Sequence, residues 1–414
     1  MSGTTPPTGC WRGGRLLLFA LAPLLGASLT ACSNSRPISQ DESAPPFVFR
    51  SLDLRQADLR GRPAWTLTSP EARYDLRRQV AQAVTPRGVI YRDGQPAYRL
   101  QASSGTVVND GAVVLLEGQV RVEQVGRQPV LIEASRVRWF PSRQRMEIDR
   151  HPRASDPQYR LSARQATFLF DRNLLELRGK PLLERWSTRF DPFQDPVRSD
   201  PETVVRVSQA DWNPSTGALQ ARGPVEANRR PPGRSAKDAP QNLTASALAG
   251  NTQQQQLRLL APVTYTDSVD QARLEAREVQ LDLRQHTARS QEPFQGSRAA
   301  LALRGQGFDV HHDQTSVEIR SGCVISQNQD VLTAGRCRWN WLSQEVEADG
   351  DLELRRQQNR QITRGRRLRG QLGAQGSLTV SNPSGRVFSQ FQVPNRPGPP
   401  RLQRPRPAAE PIRL

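Results

Sequence analysis

From Leu161 to Trp186 the chain reads LSARQATFLFDRNLLELRGKPLLERW. Its apolar residues fall two apart, at Leu161 and Ala163, then Ala166, Phe168 and Phe170, then Leu175 and Leu177, with Leu183 after Gly179. That spacing puts side chains on one face of extended strands, with a polar turn at 171–173 between them. The outline recurs with comparable starts at Leu67, Leu100, Ile132, Leu161, Val205, Leu243, Leu274, Leu303, Leu332 and, more faintly, Ile362. Two steps are longer than the others, and they carry Pro-, Asp- and Arg-rich insertions at 187–203 and 228–241.

Apolar residues also keep fixed offsets from each start. Offsets 5, 7, 14 and 16 are Val137, Trp139, Met146 and Ile148 in one repeat and Cys337, Trp339, Val346 and Ala348 in another. Turns such as Asn109-Asp110-Gly111 and Pro214-Ser215-Thr216-Gly217 lie between them and reverse the chain. Offset 18 is Gly118, Gly179, Gly223 and Gly350, and Arg150, Ala261 and Ser321 elsewhere. Each repeat is therefore a pair of strands. One pair cannot bury its face alone, so about ten of them must stack into a continuous all-β core.

The residues at offset 7, Tyr74, Trp139, Phe168, Trp212 and Trp339, form an inward aromatic stripe with two readings. In one they are closed core. In the other the sheets stay apart and the stripe lines an apolar trough for acyl chains, with Leu115, Met146 and Leu175 beside it. Burying methylenes stabilises by about 0.8 kcal/mol each and needs no polar partner. Periodicity alone does not separate the two.

Composition places this body in context. Apolar residues make up 36% of the 414, which suits sheets with one wet face. The net charge is +18, but 13 arginines against the single acid Glu410 fall between Arg355 and the end, leaving the body nearly balanced. Residues 47–383 read as one continuous repeat array. Residues 384–414 read as a Pro/Arg-rich disordered tail, either solvated or in contact with anionic lipid headgroups. Within the array Arg364 and Arg367 occupy offsets that are apolar elsewhere, so the last repeat reads as frayed.

The N-terminus argues against a nucleic-acid partner. Arg12 and Arg15 precede an apolar run from Leu16 to Leu29 that ends Leu29-Thr30-Ala31-Cys32. Residues 1–31 read as a secretory signal. The run is too short for a membrane span and is broken by Pro23. Its ending is similar to a bacterial lipobox, with Cys32 as the lipidated residue and 32–46 as a flexible tether; an ordinary signal with an incidental cysteine is the plainer reading.

No catalytic constellation accompanies this. His151, His286 and the adjacent pair His311 and His312 sit in different repeats without metal-ligand spacing, and no nucleophile-elbow, phosphate-loop or zinc-protease motif occurs. No metal or other cofactor is expected, and no enzymatic activity. Cys323 and Cys337 occupy apolar offsets in adjoining repeats, where they either form a disulfide or pack as free thiols.

The stretch FRSLDLRQADLRGRPAWTLTSPEARYD, followed by YRLQASSGTVVNDGAVVLLEGQVRVE with its Leu-x-Ala start, Asn-Asp-Gly turn and Leu-x-Gly-x-Val-x-Val, resembles the LptC family of lipopolysaccharide-export periplasmic proteins and its LptA/OstA-like relatives. The resemblance runs from Phe47 to Glu123, and later repeats look like further copies, as in long cyanobacterial-type members. It implies an elongated β-jellyroll, open along one seam, that holds lipid A acyl chains. It also implies partners: lipopolysaccharide, an inner-membrane ABC permease and ATPase, and a periplasmic bridge protein joined by edge-strand addition. A lipid anchor would hold the chain to a membrane, the inner more readily than the outer. The length, the lipid anchor and the basic tail depart from the common family pattern. Two other readings stand beside it: a structural or glycan- or protein-binding envelope lipoprotein with a closed core, and a polysaccharide-active parallel β-helix. The latter requires clustered Asp, Arg and Lys on one face, which the sequence lacks.

Overall fold

In the computed structural model the described residues are 47–126, 129–194, 200–235, 237–357, 360–373 and 376–392, all within the unit Pro46–Leu414. The signal, Cys32, the tether and the residues beyond 392 lie outside them. The described residues form 31 strands in one antiparallel hydrogen-bonded network with no α-helix, the all-β class expected.

The long strands give the network its form, because each pairs differently through its two halves. The strand Val113–Gln124 pairs through its first half with Ser104–Val108 and through its second with Gln95–Gln101. Ala218–Arg229 likewise pairs first with Gln209–Trp212 and then with Thr203–Arg206. From there to Ser316–Gln327 the strands are continuous, each with a register break near its middle. The aligned breaks divide the network into two leaves joined along a bend, each some twenty strands deep at about 4.8 Å per strand.

Glycine at offset 18 serves this bend. Gly118 has φ +69°, and a Cβ there would lie 2.9 Å from the Ser103 Cβ of the neighbouring strand. Both the left-handed backbone and the close approach favour glycine. In two repeats that lack glycine there, the left-handed turn falls on the next residue, His151 (φ 51°) and Gly322 (φ 59°).

The predicted repeat starts form one register column in the second leaf. Leu67 opposes Gly88, which opposes Leu100, then Val122, Ile132, Ala154 and Leu161 in turn. The column continues through Leu183, Val205, Ala227 and Leu243 as far as Leu332 and Leu354. The leaves pack inner face to inner face in a single core. Edge-to-face aromatic pairs join them, Trp65 to Trp139 at 5.3 Å and Tyr98 to Phe168 at 5.4 Å.

The last repeat corrects the sequence reading. It begins at Thr363, which opposes Leu354, and not at Ile362, which faces outward opposite Arg355. A slip of one residue exchanges the faces of a strand. It turns Arg364 and Arg367 to the solvent side, against Glu353 and Asp349, and brings Leu368 into the core. The strand Gln361–Gln371 is fully laddered rather than frayed.

Cys323 of the second leaf and Cys337 of the first are buried near the bend and joined by a disulfide, with Cα atoms 5.9 Å apart. The bond staples the leaves together. Replacing both cysteines by alanine is expected to lower the unfolding free energy by about 3 kcal/mol, the loop entropy of a closure this short. Guanidinium midpoints of the oxidised protein and the double variant check it; equal midpoints would mean the staple contributes nothing.

Candidate functional site

The first leaf brings six of the predicted trough residues into one line. Trp139 opposes Met146, Met146 opposes Phe168, then Leu175 and Trp212 follow in register. The line runs back from Trp139 through Val114, Val107, Ala81 and Tyr74 to Phe47. It runs forward from Trp212 through Leu219, Gly250 and Leu257 to Val317, Trp339 and Val346. The offset-7 and offset-14 positions of the nine repeats from Leu67 to Leu332 are therefore direct cross-strand neighbours.

Leu115 is the exception. Val114 and Leu116 on either side of it face inward, opposite Trp139 and Val137, so Leu115 points to the solvent face opposite Arg138. It does not belong to the column.

The column is closed in this conformation. Trp139, Phe168, Trp212, Trp339, Met146 and Leu175 are each no more than 4% exposed. A void of about 10 Å³ lies between the leaves, bounded by Leu161, Leu183, Val205, Leu219 and Leu248. Trp212 donates its indole N–H to Thr252 Oγ1 at 3.3 Å, whereas the buried Trp339 Nε1 has no hydrogen-bond partner among the described residues. A larger concavity, about 460 Å³, lies on the outer face among Arg273, Gln295, Ala302, Arg304 and Val324, away from the aromatic column.

Polar side chains close the lip opposite the bend. Arg92 Nη2 donates to the Phe170 carbonyl at 2.8 Å, and Gln255 Nε2 to Gln158 Oε1 at 2.8 Å. The Tyr98 hydroxyl donates to Asn173 Oδ1, and Asn173 Nδ2 and Gln124 Nε2 both donate to Ser215 Oγ. Burial raises the Tyr98 pKa, partly offset by the Arg92 guanidinium, so the phenol stays a neutral donor. The contacts of Arg92, Tyr98, Gln124 and Gln158 each join the second-leaf lip to a first-leaf turn roughly five strands further along, an offset that follows from the twist of each leaf, and Asn173 to Ser215 ties two of those first-leaf turns together. Periodicity gave no hint of these partners, because they lie across the leaves rather than along a strand. Tyr98 and Trp65 could have been found, since both stand two residues before a predicted start.

The same offset leaves the N-terminal end of the first leaf without a covering leaf. Phe47 and Phe49 share the inner face with Tyr74 and Ala72, yet are 55% and 44% exposed. Their strand is paired on one side only among the described residues, as is Phe388–Gln390 at the other end.

Further along the second-leaf lip, charged residues replace the apolar ones. Arg185 and Arg229 both bind Glu202, at 3.2 and 2.8 Å, and Arg234 binds Asp267 through two hydrogen bonds at 2.9 and 2.7 Å. Among the described residues no group of His, Cys, Asp and Glu is arranged to hold a metal ion.

Residues 15–181 match the family model described as lipopolysaccharide-assembly, LptC-related, which connects that part of the chain at family level with lipopolysaccharide transport. No curated protein matches the chain. Among solved structures it is similar to LptH of Pseudomonas aeruginosa, described as the LptA-homologous periplasmic component of the conserved lipopolysaccharide transport device. That alignment has 12% identity and a TM-score of 0.25, and covers 34% of this chain and 93% of that one.

Proposed function

From the match of residues 15–181 to the LptC-related lipopolysaccharide-assembly family, we propose that this chain is a periplasmic carrier in lipopolysaccharide export, without catalysis of its own. The observation that supports it is the unbroken apolar column from Phe47 to Val346, walled by a second apolar leaf. Acyl chains lying along such a column exchange water for CH₂ contacts at every strand they cross.

In the resting conformation the column is filled by its own side chains, so a lipid enters by parting the leaves. The bend joins them on one side, and the other side is closed by the side-chain contacts of the lip. Such contacts exchange readily for water, each contributing about 0.5–1.5 kcal/mol. Phe47 and Phe49 offer an apolar landing at the uncovered end. The half-paired edge strands suit continuation into an inner-membrane ABC permease complex at one end and a bridge protein at the other. Cys32 carries the lipid anchor in this scheme, with the inner membrane as its site.

A second reading, a structural envelope lipoprotein with a permanently closed core, draws on the small inter-leaf void. In-cell photo-crosslinking separates the two, with the probe placed in turn at Trp139, Trp212 and Trp339. We expect lipopolysaccharide adducts at all three that vanish on ATP depletion. Absence of adducts in folded, exported protein would overturn the carrier reading in favour of the structural one.

A further inference from the structure

We propose that Arg185, Thr203 and Arg229 form an anion subsite on the lip of the second leaf, which takes a phosphate of the acylated ligand while its chains lie between the leaves. The inference rests on the carrier function above and specifies where the polar head is held.

Register carries the first part of the argument. Tyr159 opposes Arg185, Arg185 opposes Thr203, and Thr203 opposes Arg229, so these side chains stand in line on successive strands. They share the inner face with Leu183, Val205 and Ala227, two residues deeper on the same strands. Neighbouring strands are about 4.8 Å apart, which puts the two arginine stems about 10 Å apart with a hydroxyl between them. Guanidinium forks reaching inward from both sides can hold a tetrahedral oxyanion between them.

Charge carries the second part. Glu202, only 8% exposed in its side chain, is the carboxylate bound by both arginines, through Arg185 Nη1 and Arg229 Nε. Among the described residues, two cations thus share one anion. Arg185 Nε is buried and has no hydrogen-bond partner among the described residues. Two strands further on the balance differs, because Asp267 is matched by Arg234 and needs no further ion. The surplus positive charge and the unused N–H fall at the same place on the lip.

The void between the leaves supplies a third, independent observation. It is bounded by Leu161, Leu183 and Val205, two residues deeper than the lip on its own strands, and by Pro181, Val207, Ala210 and Ala221 towards the bend. The void lies on the strands that carry the charged lip, deeper in the core than the lip itself. A lipid with chains seated there would bring its headgroup to Arg185 and Arg229.

Arg229→Gln in the full chain is the sharpest test, since Arg185 continues to neutralise Glu202 and the fold is kept. The probes are bis-phosphorylated lipid A and the same lipid with both phosphates removed, in matched detergent. Wild-type protein should bind both, the phosphorylated form more tightly. The variant should lose about tenfold for the phosphorylated lipid and less than about twofold for the other. Arg185→Lys, which keeps the charge but loses the fork, should lie between. Equal loss for both lipids, or loss for neither, would overturn the anion subsite while leaving acyl binding intact. Failure of wild-type protein to bind either lipid would overturn the subsite and the carrier function together.

Discussion

Phe168→Ala is expected to lower the unfolding free energy by about 3–5 kcal/mol, the usual cost of removing a fully buried phenylalanine from a packed core. The ring has no solvent exposure. It lies between Met146 and Leu175 along the first leaf and meets Tyr98 of the second edge to face at 5.4 Å and Phe170 at 4.7 Å. Truncation removes contacts within one leaf and between the two at once. Leu115→Ala is the matched control: this residue is as apolar as its neighbours but faces water, so its loss should cost less than about 1 kcal/mol. Denaturant unfolding at unchanged m-value reads both. Equal small effects would mean that the leaves do not pack on each other at Phe168.

That contrast also shows what could be read before any coordinates. The starts from Leu67 to Leu332 were visible because both leaves are one-sided antiparallel sheets, in which every second residue must be apolar. Leu115 was misplaced by choosing it for its hydrophobicity, when its parity against Val114 and Leu116 already assigned it to the wet face. Ile362 failed for the opposite reason, since a single-residue slip leaves hydrophobicity similar and changes only parity; Gly365 and Leu368 at the shifted offsets carried the signal. The lip was not legible in the same way. Its contacts join residues as far apart as Gln158 and Gln255, a pairing set by leaf twist and not by sequence spacing. Yet Arg185 and Arg229 stand at the same offset from Leu161 and Val205, two residues beyond the last apolar column. A polar position held in register across repeats was there to be noticed.

Arg234→Ala should destabilise the protein by about 3–5 kcal/mol, because it strands a carboxylate that cannot reach water. The Asp267 side chain is 1% exposed. Besides the two bonds from Arg234 it accepts one from Gln241 at 2.9 Å and backbone N–H donors from Val269 and Asp270. Burial alone would raise its pKa. The hydrogen bonds from Arg234 and Gln241 outweigh burial and hold the carboxyl well below the usual range. The sign follows from that depression: the pair's contribution is fully present above the unfolded aspartate value near 4 and is lost only as pH falls through the lower folded value. Wild-type stability should therefore show no step from this group between about pH 7 and 4. The Arg234→Ala protein, with its carboxylate deprived of the main compensating donor, should regain part of its loss as acid neutralises Asp267. Replacing both partners, Arg234→Met with Asp267→Leu, should recover most of the stability, since no buried charge is then left unpaired. Urea titrations across that pH range, arranged as a double-mutant cycle, decide the matter: if Arg234→Ala costs less than about 1 kcal/mol, the pair is a solvated surface contact and the lip is not sealed there.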